Sequence, residues 1–165
     1  MRQARSKLMM FCLLITLSMC IAFTAWGQSI PLAIAGYTPS GEKLTHELAR
    51  EQLEQLPQTT LSTDLPWLKQ SATFEGVRLL TLLEHFNLST SKLKLLALND
   101  YSVVISHDYI KQYNPLLAIK KDGQYLKVRD YGPYWVIISL NEHPEAAETK
   151  HLANMVWQLT FIEAQ

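Results

Sequence analysis

Trp67, Asn99, Asp100, Tyr101, Arg129 and Tyr131 are the side chains best placed to bind a ligand, because each stands beside a turn signal. Trp67 follows Pro66, Asn99-Asp100-Tyr101 is one polar triplet, and Arg129-Asp130-Tyr131 runs into Gly132-Pro133. Arginine keeps its charge and grips an anion bidentately. Asparagine, aspartate and tyrosine add donors and acceptors, and tryptophan adds a flat apolar face. Side chains that bind gather on loops carried by a rigid scaffold, so this set is read as a site for a small anionic ligand. Four of them also have a purely structural reading. Asn99 and Asp100 are turn formers, Arg129 and Asp130 form a surface ion pair, and Trp67 is a core plug. Geometry decides between them.

Other chemistries are excluded by residue type. The only cysteines, Cys12 and Cys20, fall in an N-terminal segment expected to be removed, which leaves no thiolate for nucleophilic catalysis, zinc or an iron-sulfur cluster. No two of His46, His85, His107, His143 and His151 have the i, i+4 spacing of a helical metal pair. Gly-x-Ser-x-Gly, phosphate-binding and dinucleotide-binding glycine patterns are all absent from the chain.

That N-terminal segment has Arg2, Arg5 and Lys7 ahead of an apolar run from Leu8 to Phe23, then Ala25-Trp26-Gly27. It reads as a secretory signal peptide over residues 1–27, with cleavage before Gln28. The protein is therefore expected to be periplasmic or secreted, and the mature chain not membrane-spanning. Residues 28–165 form a single domain of 138 residues, enough to bury a core unaided. Loss of three of the 15 basic residues leaves 12 against 15 acidic, a net charge of −3. With no basic run longer than Lys120-Lys121, nucleic acid is not an expected partner.

The elements that must position the loops centre on Leu116–Leu140. Asp122-Gly123 predicts a type I′ hairpin, in which Lys121 faces Gln124, Ile119 faces Leu126 and Leu117 faces Val128. Ala118, Lys120, Tyr125 and Lys127 then lie on the wetter side. Tyr134–Ile138 is apolar without alternation, as in a central strand covered on both faces. Upstream, strands are expected at Ile30–Gly36, Lys43–Leu48 and Gln58–Thr63, with a short helix from Ala49 to Leu56 stopped by Pro57. Leu79, Leu83 and Phe86 make a helical stripe over Arg78–Phe86. Leu93–Leu98 and Tyr101–Ser106 form a hairpin about Asn99-Asp100, and His107–Tyr113 a helical turn. Asn141–Lys150 reads as a loop, and Met155–Ile162 as a closing strand with Met155, Trp157, Leu159 and Phe161 on one face.

The order of Phe74-Glu75-Gly76-Val77, Ala97-Leu98-Asn99-Asp100-Tyr101-Ser102, Leu117-Ala118 with Asp122-Gly123, Val128-Arg129-Asp130 with Gly132-Pro133, and Val156-Trp157-Gln158-Leu159 resembles the small secreted members of the oxidoreductase molybdopterin-binding domain family. The resemblance implies the sulfite-oxidase fold, an α+β domain of mixed, mostly antiparallel sheets with a few short helices. It also implies molybdenum held by a pterin dithiolene and one protein cysteine, located between Leu61 and Thr73. That interval contains no cysteine, and a hydroxyl is a harder, far less acidic ligand than a thiolate. Two functions follow. One is a ligand-binding or sensory module without a cofactor, serving a membrane receptor or subunit. The alternative is a molybdopterin-dependent oxidoreductase with a cysteine-free site.

Overall fold

The computed structural model describes residues 29–165; the expected signal peptide lies outside them. β1 (Leu32–Tyr37) turns back into β2 (Lys43–Leu48), and α1 (Arg50–Glu54) follows. The Ala49 N–H donates to Gln52 Oε1 at 2.8 Å, closing the first turn of α1. β3 (Thr59–Thr63) leads through the Trp67 loop to β4 (Ala72–Arg78), which runs directly into α2 (Leu79–His85). Leu79, Leu82 and Leu83 are the buried stripe of α2, while Leu80 and Phe86 cover its margins.

β5 (Lys92–Ala97) and β6 (Ser102–Ser106) form the predicted hairpin. Ser106 caps α3 (His107–Tyr113), its Oγ accepting from the Tyr109 N–H at 3.1 Å, and Asn114 ends that helix in the left-handed conformation at φ 41°. After β7 (Leu116–Lys121) come β8 (Gln124–Tyr125), β9 (Trp135–Ile137), α4 (Thr149–Leu152) and β10 (Leu159–Ala164).

Two five-stranded sheets result, one ordered β2-β1-β10-β5-β6 and the other β3-β4-β7-β8 with β9 also on β7. Among the described residues only the β1–β10 pair is parallel. The described residues thus form an α+β fold of mostly antiparallel sheets with four short helices, as the sequence leads one to expect.

β7 organises the packing because both its faces are covered. Leu117 and Ile119 enter the core shared with β1, β5, β10 and α2. Leu116 and Ala118 enter a second core with Phe74, Trp135 and Ile137. Ala118 is therefore fully buried, not on a wetter face, because a strand between two cores has none.

The hairpin turn is of the expected kind, with Asp122 at φ 51° and Gly123 at φ 73°, and Lys121 pairs with Gln124. The ladder then stops early. Leu126 N–H donates to Ile119 O at 3.0 Å, but Val128–Asp130 is a 3-10 turn, and Leu117 pairs with Val136 of β9 rather than with Val128. β9 is covered on both faces as predicted, yet in the ladder it is a short strand at the margin, sharing one edge of β7 with β8.

Two further expectations are corrected. Asn141–Lys150 holds a 3-10 turn at Pro144–Ala147 and the start of α4. The closing strand begins only at Leu159, and its buried residues are Leu159, Ile162 and Ala164, because a bulge between Leu159 and Phe161 breaks the period of two. Gln158, at φ 53°, starts the irregularity. Its N–H donates to Tyr131 O and its carbonyl accepts from Leu98 N–H, so the chain is fixed before the strand begins.

Candidate functional site

All three tryptophans of the described residues converge on one place. Trp135 is fully buried on β9, and its Nε1 donates to the Met155 carbonyl at 3.1 Å. Trp67 packs against it with ring centroids 5.8 Å apart, and Trp157 meets Trp67 edge-to-face at 5.4 Å and 78°. Tyr131 stacks on Trp135 at 4.4 Å and 22°, and its hydroxyl donates to the Trp67 carbonyl at 3.4 Å. Phe74 of β4 meets Trp135 edge-on at 5.6 Å. Edge-to-face and offset pairs of this kind contribute about 0.5–1.5 kcal/mol each beyond the area they bury. The Trp67 loop is held on the sheet by such contacts.

In front of this wall is a cavity of about 390 Å³. The long loop supplies Trp67, and the β5–β6 turn supplies Asn99 and Tyr101. α4 and its exit supply Thr149, Leu152 and Ala153, and the chain leading to β10 supplies Met155, Val156 and Trp157. The Tyr101 hydroxyl donates to the Ala153 carbonyl at 3.0 Å, tying the turn to α4 across the cavity. Asn99 Oδ1 accepts from the Tyr101 N–H at 3.2 Å, so the side chain shapes the turn while its amide nitrogen stays available. Lining residues include no Lys, Arg, Asp, Glu or His. The site is aromatic, partly polar and uncharged.

α4 is anchored on its other side by Tyr109, whose hydroxyl is 3.0 Å from His151 Nδ1. Burial pushes the Tyr109 phenol above its usual pKa. His143 and His151 both pack on the Tyr113 ring, at 5.1 and 5.0 Å. These two histidines flank the Tyr113 ring, and His151 is part of α4, whose Thr149 and Leu152 line the cavity.

The residues expected at the site divide. Trp67, Asn99 and Tyr101 line the cavity. Tyr131 stands behind the wall, in contact with Trp67, Trp135 and Trp157. Asp100 sits in the turn at φ 64°, exposed and outside the lining, which is its turn-forming reading. The Arg129 side chain is 80% exposed and pairs with Asp130 at 3.6 Å, which is its surface-pair reading. A 3-10 turn in place of the expected strand carries Arg129 outward. Trp157, Met155 and the α4 residues were missed: Met155 and Trp157 were expected on a closing strand that begins only at Leu159, and the polar segment before them gives no sign that it will fold over an aromatic wall.

No family model matches the chain, and no curated protein does either. Among solved structures it is similar to the sulfane dehydrogenase SoxCD from Paracoccus pantotrophus, with a TM-score of 0.59 and 14% identity over 83% of this chain and 38% of that one. The chain thus spans well under half the length of that protein. The likeness supports a distant molybdopterin-domain-like fold.

The donor groups here do not suit the cofactor that such a fold implies. Neither cysteine of the sequence falls among the described residues. Of the hydroxyls nearest the implied ligand position, Thr63 Oγ1 is buried and accepts from Leu140 N–H at 2.8 Å, and Ser62 Oγ bonds Thr73 Oγ1 at 2.8 Å. Ser62 thus ties β3 to β4, and Thr63 ties β3 to the segment after β9. Lys69, Arg78 and Arg129, the cations that could meet a phosphate, are all absent from the lining. Arg78 instead donates to the Asn114 carbonyl. Among the described residues no three His, Cys, Asp or Glu side chains stand close enough to hold a metal ion.

Proposed function

We propose that this protein is an exported binding module, which keeps a molybdopterin-domain-like fold and holds a small organic ligand in an aromatic cavity without redox chemistry. The convergence of Trp67, Tyr101 and Trp157 on one cavity of about 390 Å³ carries this reading. The volume is within the range of small-molecule sites, and the lining is mostly apolar with a few polar groups, as in such sites generally. An uncharged lining favours an uncharged ligand over the anion expected from Arg129, since a buried charge without a partner is costly. Export rests on the N-terminal charge and apolar run, and the partner is a membrane receptor or subunit that reads the liganded state. Among the described residues no helix is long and apolar enough to cross a membrane.

The test uses N-phenylnaphthylamine, an uncharged aromatic fluorophore excited by energy transfer from tryptophan. Titration into the protein is expected to give a saturable signal, with affinity at least tenfold weaker in Trp157→Ala, whose cooperative melt is retained. Absence of saturable binding, or equal affinity in both proteins, would overturn the reading.

A further inference from the structure

We propose that the ligand is an uncharged amphiphile, with a flat ring bearing an acceptor oxygen in the cavity and an apolar chain along the surface beside it. This rests on the cavity being a ligand site, and three observations narrow the class. Charged headgroups are disfavoured because no charged side chain lines the cavity to offset their desolvation.

The lining also carries side-chain N–H donors with no partner among the described residues. Asn99 keeps its amide N–H groups because only its Oδ1 is engaged. The Trp135 indole N–H is satisfied by Met155 O, whereas those of Trp67 and Trp157 make no hydrogen bond to another described residue. A carbonyl or ester oxygen on the ring answers those donors.

The third observation is a pair of exposed apolar residues on segments that adjoin the lining. Leu98 and Val128 are each 42% exposed, and Leu98 directly precedes Asn99 of the lining in the chain. Gln158 joins the two segments, since Leu98 N–H donates to Gln158 O at 2.9 Å and Gln158 Nε2 donates to Val128 O at 2.7 Å, and Gln158 adjoins Trp157 of the lining in the chain. Exposed large apolar residues are ordinary when scattered, but a group of them beside a cavity marks a binding surface. An alkyl chain leaving the cavity would cover it, and each methylene removed from water strengthens binding roughly fourfold.

Calorimetric titration with the methyl and heptyl esters of naphthoic acid and with the naphthoate anion tests the class. The heptyl ester is expected to bind at least tenfold tighter than the methyl ester, and the anion at least tenfold weaker. Leu98→Ser combined with Val128→Ser, both at exposed positions, should bring the heptyl ester to within about twofold of the methyl ester without changing the latter. Equal affinity for the two esters in the wild type, or preference for the anion, would overturn the proposal. So would failure of both esters to bind while N-phenylnaphthylamine still does, an outcome that spares the cavity as a ligand site. Failure of every compound would overturn both.

Discussion

Gly76 of β4 is the position where one methyl group should cost most. A Cβ there would lie 2.0 Å from the Leu117 carbonyl oxygen and 2.9 Å from the Ala118 Cα, both backbone atoms of β7. No rotamer change can relieve a clash with backbone, so β4 and β7 must part by roughly 1 Å, which takes ladder hydrogen bonds out of their normal length range. Two or three weakened bonds, each leaving buried groups poorly paired, amount to about 3–5 kcal/mol. That is a large share of the roughly 5–15 kcal/mol by which a domain is folded. For a domain of this size Gly76→Ala should lower Tm by about 10 °C or more. The matched control is Gly41→Ala. Gly41 has φ 83° but nothing within 4 Å of its Cβ position, so it carries only the backbone penalty of about 1 kcal/mol. Urea denaturation of both variants measures the difference. Near-ultraviolet circular dichroism of Gly76→Ala should also weaken, because β4 carries Phe74 against Trp135. A loss below about 1 kcal/mol for Gly76→Ala, or one equal to that of Gly41→Ala, would refute the close approach of the two strands.

Arg129→Ala should change stability by less than about 0.5 kcal/mol, because an exposed ion pair contributes little, and should leave N-phenylnaphthylamine affinity within twofold; a tenfold loss would return Arg129 to the site. Gly123→Val should cost roughly 1–3 kcal/mol by urea denaturation, since a β-branched residue is strained at the φ of 73° found there. Tyr134, fully buried and donating to Ile30 O at 3.0 Å, has its pKa pushed up to about 12 from 10.0 by burial. Its folded form holds the proton more tightly than the unfolded chain, so this stabilisation is complete below pH 10 and is lost as pH rises from 10 towards 12. Urea midpoints across that range should fall by the equivalent of about 2–3 kcal/mol, and Tyr134→Phe should flatten the slope.

The fold was legible wherever a local rule was strong. Asp122-Gly123 determined its turn because few residues accept two consecutive positive φ values, and the stripe of α2 was as plain. Partnering beyond the turn was not legible. Val128 and Val136 are equally apolar, and β7 took Val136 because the chain after Leu126 leaves the ladder and β9 returns to it, a competition settled by tertiary packing. The bulge before Phe161 likewise has no sequence signal apart from the polar Gln158. For the site, turn chemistry found Asn99 and Tyr101, and the size of its ring singled out Trp67. Arg129 was overvalued, since charge says what a side chain could bind and not where its backbone points it. Trp157 was visible as a ring, but its place depended on how α4 and the start of β10 fold together.

Elemental analysis for molybdenum, with assay for released pterin, tests the central claim most directly. The exported protein should be made in a host that synthesises and exports the cofactor. With no cysteine among the described residues, Ser62 and Thr63 engaged elsewhere and no cation lining the cavity, the metal should fall below about a tenth of an equivalent, with no pterin on denaturation. Molybdenum near one equivalent together with a released pterin would contradict the account and make Ser62 and Thr63 the first residues to substitute.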